Sequence, residues 1–93
     1  MKYLVTGHKG FIGSHYFTSL SSAKGYDILD GDDLCDSKLV STLPDCDVLV
    51  HMAAINGTKL FYETPTEVSF NNTLPTFNLI KRYQNSNTKF VFT

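Results

Sequence analysis

The most constraining stretch of the chain is Thr6-Gly7-His8-Lys9-Gly10-Phe11-Ile12-Gly13, which sets three glycines three residues apart. Before it, Lys2-Tyr3-Leu4-Val5-Thr6 is an apolar run without alternation, the pattern of a central parallel strand buried on both faces. After it, Ile12, Tyr16 and Leu20 fall at helical spacing and predict a helix closed by Ser21, Ser22 and Gly25. Between a strand and a helix, each glycine has a physical task. Gly7 lets the chain turn sharply, Gly10 removes a Cβ that would hold an anion off the backbone, and Gly13 lets the helix pack close to the strand. The free amides and the dipole at the helix start then offer a site for the pyrophosphate of a dinucleotide.

The rest of the chain alternates strands and helices. Tyr26-Asp27-Ile28-Leu29 reads as a second strand, followed by an acidic stretch to Asp36. Residues 36–43 carry Leu39 and Leu43 on one or two helical turns that Pro44 ends. Asp47-Val48-Leu49-Val50-His51 is a third, buried strand, and residues 53–64 read as a loop with a turn at Asn56-Gly57. Thr64-Pro65-Thr66-Glu67 is a capping box that opens a long helix. Phe70, Leu74, Phe77 and Ile80 form its expected core stripe, and Pro75 should kink or loosen its middle. Asn85-Ser86-Asn87 ends it, and Lys89-Phe90-Val91-Phe92-Thr93 is a fourth strand. Such alternation implies a parallel sheet with right-handed crossovers. The fold class is therefore α/β: a Rossmann-like three-layer fold with a parallel sheet of about four strands.

At 93 residues the chain is one domain or part of one, and a domain this size buries only roughly 60–65% of its unfolded surface. Apolar residues make up 42% and charged residues 18%, which suits a packed core rather than disorder. A net charge of −1 with scattered lysines leaves no footprint for nucleic acid. Cys35 and Cys46 have neither CxxC spacing nor histidine-rich surroundings, so no metal site is expected. No apolar run reaches membrane-span length and no signal-peptide pattern opens the chain, so a cytoplasmic location is expected.

Dinucleotide folds place a carboxylate about twenty residues beyond the glycines to accept hydrogen bonds from the adenosine ribose. Asp30, at the end of Ile28-Leu29, stands in that place, with Asp32 as a rival. No arginine lies nearby to receive a 2′-phosphate, so NAD is favoured over NADP.

Val5-Thr6-Gly7-His8-Lys9-Gly10-Phe11-Ile12-Gly13-Ser14 resembles the opening of the extended short-chain dehydrogenases/reductases, the NAD-dependent epimerase/dehydratase family that acts on nucleotide sugars. Four further segments resemble the same family in order: Asp33-Leu34-Cys35-Asp36, Val50-His51-Met52-Ala53-Ala54, Asn72-Thr73-Leu74-Pro75-Thr76 and Phe90-Val91-Phe92-Thr93. The resemblance implies that Gly7, Gly10, Phe11, Ile12 and Gly13 contact the pyrophosphate. It further implies that Asp30 holds the ribose, Asp33 and Leu34 the adenine, and that Met52, Ala53 and Ala54 line the path to the nicotinamide. Asn72 is implied to be structural, and His51 and Phe61-Tyr62 are read as packing residues.

Three departures stand out. The region between the second strand and Asp33 is short, and Pro75 stands where the family has glycine. The family's catalytic pair, a tyrosine four residues before a lysine, is absent: none of Tyr3, Tyr16, Tyr26, Tyr62 and Tyr83 has that partner. The chemistry implied by the resemblance, proton abstraction by a tyrosinate coupled to hydride transfer to NAD, thus lacks its residues here. No catalytic residue is expected within the chain, which looks truncated relative to the family. The expected partners are a dinucleotide and either a missing C-terminal catalytic half or a second copy. The alternative expectation is a stand-alone dinucleotide-binding or self-assembling module without catalysis.

Overall fold

The computed structural model describes residues 1–54 and 62–92. Four short strands, β1 (Tyr3–Thr6), β2 (Ala23–Tyr26), β3 (Val48–His51) and β4 (Lys89–Phe92), form one sheet in the order β2-β1-β3-β4. Every neighbouring pair is parallel, with Leu4 opposite Lys24 and Leu49, and Leu49 opposite Phe90. Among the described residues, helices α1 (Phe11–Thr18), α2 (Ser37–Ser41) and α3 (Pro65–Tyr83) accompany the strands.

Alternation along the central strands divides the core into two layers. Leu4 and Leu49 pack with Leu34, Val40, Leu43, Leu79 and Tyr83 under α2 and α3. On the opposite face Val5, Val48 and Val50 pack with Phe17 and Leu20 from α1 and its exit. The result is the three-layer α/β arrangement expected. Polar anchors fix α3 against its neighbours. Asn78 Nδ2 donates to the Leu34 carbonyl at 2.9 Å, Tyr83 Oη to the Pro44 carbonyl at 2.7 Å, and Arg82 to the Leu43 carbonyl. Burial pushes the Tyr83 phenol far above its ordinary pKa, so it remains a donor.

Several expected boundaries move. The second strand runs over Ala23–Tyr26 rather than Tyr26–Leu29, because Asp27 accepts a hydrogen bond from the Leu29 amide and bends Ile28–Asp30 into a 3-10 turn. Ile28 and Leu29 are exposed as a result. Gly25 therefore lies inside β2 rather than closing α1, which ends at Thr18.

Helix α1 buries Gly13, not Ile12, and its inner stripe continues through Phe17 and Leu20. The residue without a side chain takes the position nearest the strand, which turns Ile12 and Tyr16 outward. Helix α3 is rotated in the same sense. Its inner face is Val68, Pro75, Asn78, Leu79 and Tyr83, while Phe70, Phe77 and Ile80 of the expected stripe are exposed. The anchors at Asn78, Arg82 and Tyr83 decide the face, and hydrophobicity alone does not. The helix runs unbroken through Pro75. The expected turn at Asn56-Gly57 and Phe61 lie outside the described residues, as does Thr93.

Candidate functional site

Chain order reverses at the centre of the sheet, where β1 is followed outward by β2 on one side and β3 continues on the other. Open α/β sheets bind ligands in the crevice beyond the strand ends at such a point. A cavity of about 720 Å³ opens there. That volume lies within the range of small-molecule and cofactor sites.

One wall is the glycine loop. Gly7 has φ +73°, a left-handed conformation, and a Cβ there would stand 2.7 Å from the Ala53 nitrogen. A Cβ on Gly13 would stand 2.0 Å from the Gly7 carbonyl oxygen, so loop and helix meet backbone to backbone. Gly10 precedes α1 without a capping side chain, and no acidic residue occupies the first helical turn. The first α-helical bond beyond the loop is made by the Ser14 amide to the Gly10 carbonyl at 2.8 Å. The amides at the helix start thus carry the unneutralised positive end of the dipole toward the cavity. Phe11 and Ile12 stand exposed at its mouth.

A second wall is the end of β3. Met52, Ala53 and Ala54 line the cavity, and the amides of Met52 and Ala53 donate to Thr6 Oγ1 at 3.1 and 3.2 Å. Thr6 Oγ1 also lies 2.6 Å from His51 Nδ1. Burial lowers the pKa of His51 and keeps it neutral near pH 7.

The third wall is acidic. Asp27, Asp32 and Asp33 line it with Leu34, Cys35 and Asn71. Most of these carboxylates already serve the fold. Asp27 is buried and accepts from the Lys9 and Leu29 amides, each at 3.0 Å, which fastens the glycine loop to the turn after β2. Asp33 accepts from the Cys35 amide at 3.0 Å, and Asp32 from the Asp27 amide at a long 3.3 Å. Asp30 points to the Lys9 ammonium and to His8 Nε2 at 3.6 Å, and it does not line the cavity. The Asp30 hydrogen bond and charge raise the Lys9 pKa above its ordinary value.

The structure thus brings Gly7, Gly10, Phe11, Ile12, Gly13, Asp33, Leu34, Met52, Ala53 and Ala54 around one cavity and leaves Asp30 at its edge. Sequence reasoning missed Asp27 and Lys9. The signal for Asp27 was present, since an aspartate two residues before a potential turn amide is a capping pattern. Among the described residues no cluster of three or more His, Cys, Asp or Glu side chains is placed to hold a metal ion. Nor is any helix among them long and apolar enough to cross a membrane.

The donor set fits a dinucleotide. Gly7, Gly10 and Gly13 bring backbone to the cavity wall, held close because Gly7 and Gly13 pack backbone to backbone, and small side chains at the end of β3 line the same cavity.

Comparison with known proteins agrees with this geometry. The model of the NAD dependent epimerase/dehydratase family matches residues 3–93. Among solved structures, Pal from Bacillus thuringiensis superposes with a TM-score of 0.85 at 27% identity, covering 99% of this chain and 38% of that one. UDP-glucose 4-epimerase of Thermus thermophilus, in complex with NAD, gives 0.76 at 27% identity, covering 88% and 33%. The UDP-Glc/GlcNAc 4-epimerase of Campylobacter jejuni gives 0.81 at 26%, covering 98% and 36%. The chain therefore spans little more than a third of the length of these relatives. No curated protein sequence matches it.

Proposed function

The chain belongs to the NAD-dependent epimerase/dehydratase family, and from that premise we propose that residues 1–93 are the dinucleotide-binding portion of a nucleotide-sugar epimerase or dehydratase. The observation that carries this reading is the glycine loop: at Gly7 and Gly13 any side chain would collide with backbone, and the uncapped start of α1 faces the cavity. Gly7, Gly10, Phe11, Ile12 and Gly13 hold the pyrophosphate, Asp33 and Leu34 the adenine. Met52, Ala53 and Ala54 line the path to the nicotinamide.

For the ribose, Asp32 is a better candidate than Asp30. Asp32 lines the cavity and, among the described residues, its carboxylate accepts one long hydrogen bond, from the Asp27 amide, whereas Asp30 is engaged by Lys9 and His8. The NAD bound to a relative of 27% identity supports that cofactor over NADP. When bound, the dinucleotide supplies a hydride acceptor and donor. The residues of this chain orient it and exclude water from its phosphates. The tyrosine–lysine pair that the chemistry requires is not in this sequence, so turnover depends on residues supplied from elsewhere.

Calorimetric titration tests the reading. NAD is expected to bind at submillimolar to millimolar concentration and to raise the melting temperature. No heat and no thermal shift at 5–10 mM, about the top of that range, would sink it.

A second reading rests on a separate observation, the exposure of Phe70, Phe77 and Ile80 on α3 and of Val91 and Phe92 on the edge strand β4. An uncovered apolar face beside an open sheet edge favours association with a further segment or a second copy. A strict monomer with cooperative melting in light scattering and calorimetry would discard it.

A further inference from the structure

We propose that Thr6 and His51 form a proton-sensitive tie that positions the Met52–Ala53 wall of the cavity, so that acid weakens dinucleotide binding by breaking it. The inference rests on the reading of the cavity as a dinucleotide site.

The two residues are register partners at the ends of β1 and β3, and both are buried. A threonine hydroxyl has one hydrogen to give and two lone pairs to receive. Met52 and Ala53 each point an amide at Thr6 Oγ1, and an amide can only donate. Both lone pairs are thereby filled. The hydroxyl hydrogen must go to His51 Nδ1 at 2.6 Å, which makes Nδ1 the bare nitrogen and puts the ring proton on Nε2.

Protonation reverses this count. An imidazolium carries hydrogen on both nitrogens, so Nδ1 becomes a third donor at an oxygen with no lone pair left, and the hydroxyl hydrogen loses its acceptor. Either the ring leaves or an amide does. The Met52 amide has a second acceptor in the Thr6 carbonyl at 3.1 Å, so the Ala53 amide is the one exposed to loss. That amide is also the atom against which Gly7 packs, at the place where a Cβ would come within 2.7 Å. The tie thus sets the separation between the glycine loop and the end of β3, the two walls that must grip one ligand.

Among the described residues, the groups in hydrogen-bond or ring contact with His51 are the Thr6 hydroxyl from β1 and the ring of Phe92 from β4, edge-on at 5.9 Å. Among the described residues, burial is what lowers its pKa, and no charged side chain adds to it. The folded-state pKa lies below the ordinary value, so the tie is complete above about pH 6.5 and is lost as pH falls through the lowered value.

The experiment has two arms. Imidazole nitrogen NMR of the free protein is expected to show His51 as the Nε2–H tautomer at pH 7.5. The Ala53 amide resonance should move with the ring's titration. An Nδ1–H tautomer, or an Ala53 amide indifferent to that titration, would overturn the proposal whether or not NAD binds.

The second arm is NAD affinity from pH 8 to pH 5. The wild-type chain should lose about five- to tenfold on descending through the His51 titration. His51→Asn, whose amide oxygen offers Thr6 an acceptor that does not titrate, should flatten that profile. Thr6→Ser should keep it. An Asn variant with the wild-type pH profile counts against the tie. Absence of NAD binding at every pH counts against the dinucleotide reading and leaves the NMR arm to decide this one.

Discussion

The wall of the cavity formed by residues 6–13 is built of backbone, whereas the wall formed by residues 27–35 is built of carboxylates. In the first, position is set by atoms that cannot rotate away: a carbonyl, an amide and three missing side chains. In the second, four aspartates share the work of holding turns, pairing with Lys9 and facing the cavity. A backbone wall admits one arrangement. A carboxylate wall admits several, and its ligand-facing member is decided by which acids the fold has already engaged. Substitutions should therefore be far more damaging in the first wall than in the second.

The largest effect is expected at Gly13. A methyl group there would sit 2.0 Å from the Gly7 oxygen, with backbone on both sides and nothing flexible to yield. Gly13→Ala should cost about 3 kcal/mol or more, the upper end for overpacking, and leave a poorly soluble chain. A variant that melts near the wild type would mean that loop and helix are not in contact. Gly7→Ala should follow. Its φ of +73° adds about 1–2 kcal/mol of backbone strain to the encounter with the Ala53 nitrogen. Denaturant unfolding measures both, and NAD affinity should fall with each.

The same contrast explains what could be read from the sequence. Residues 6–13 were legible because glycine spacing between a strand and a helix reports a backbone requirement directly. The buried strand Val48–His51 was legible because its apolar run is continuous. By contrast, the turn at Asp27 was misjudged. Tyr26-Asp27-Ile28-Leu29 carries enough apolar character for a strand, yet one side-chain bond to the Leu29 amide outweighs it. The outward face of α3 was misjudged for a related reason. Phe70, Phe77 and Ile80 outscore Asn78 in hydrophobicity, but the Asn78 bond to Leu34 is a tertiary contact that no local pattern announces. Where backbone alone sets the geometry, sequence carries it. Where side-chain hydrogen bonds across the fold set it, sequence leaves it open.

An intermediate effect is expected at Asp27, the acid that joins the two walls. Asp27→Ala removes the acceptor from the Lys9 and Leu29 amides and should cost about 1–3 kcal/mol. Asp27→Asn keeps one carbonyl oxygen and should recover part of it. If Asp27→Ala were as harmful as Gly13→Ala, the division between the walls would be wrong. The loop would then owe its shape to a side chain.

The smallest effect on stability is expected at Asp30, and there the acidic wall becomes informative about specificity. Its carboxylate pairs with Lys9 in solvent, and exposed ion pairs contribute little to folding. Asp30→Asn should leave the melting curve where calorimetry cannot separate it from the wild type. It should nonetheless free the ammonium of Lys9, a residue that lines the cavity and has no other salt-bridge partner among the described residues. With the dinucleotide bound as proposed, a freed ammonium beside its adenosine would attract a 2′-phosphate. Affinity for NADP relative to NAD should therefore rise about threefold to tenfold in low salt and fall back as ionic strength increases. The matching loss in Lys9→Met should fall on NADP and spare NAD. If Asp30→Asn instead weakens NAD itself by tenfold or more, Asp30 and not Asp32 holds the ribose, and the cavity closes around the 3-10 turn when the cofactor enters.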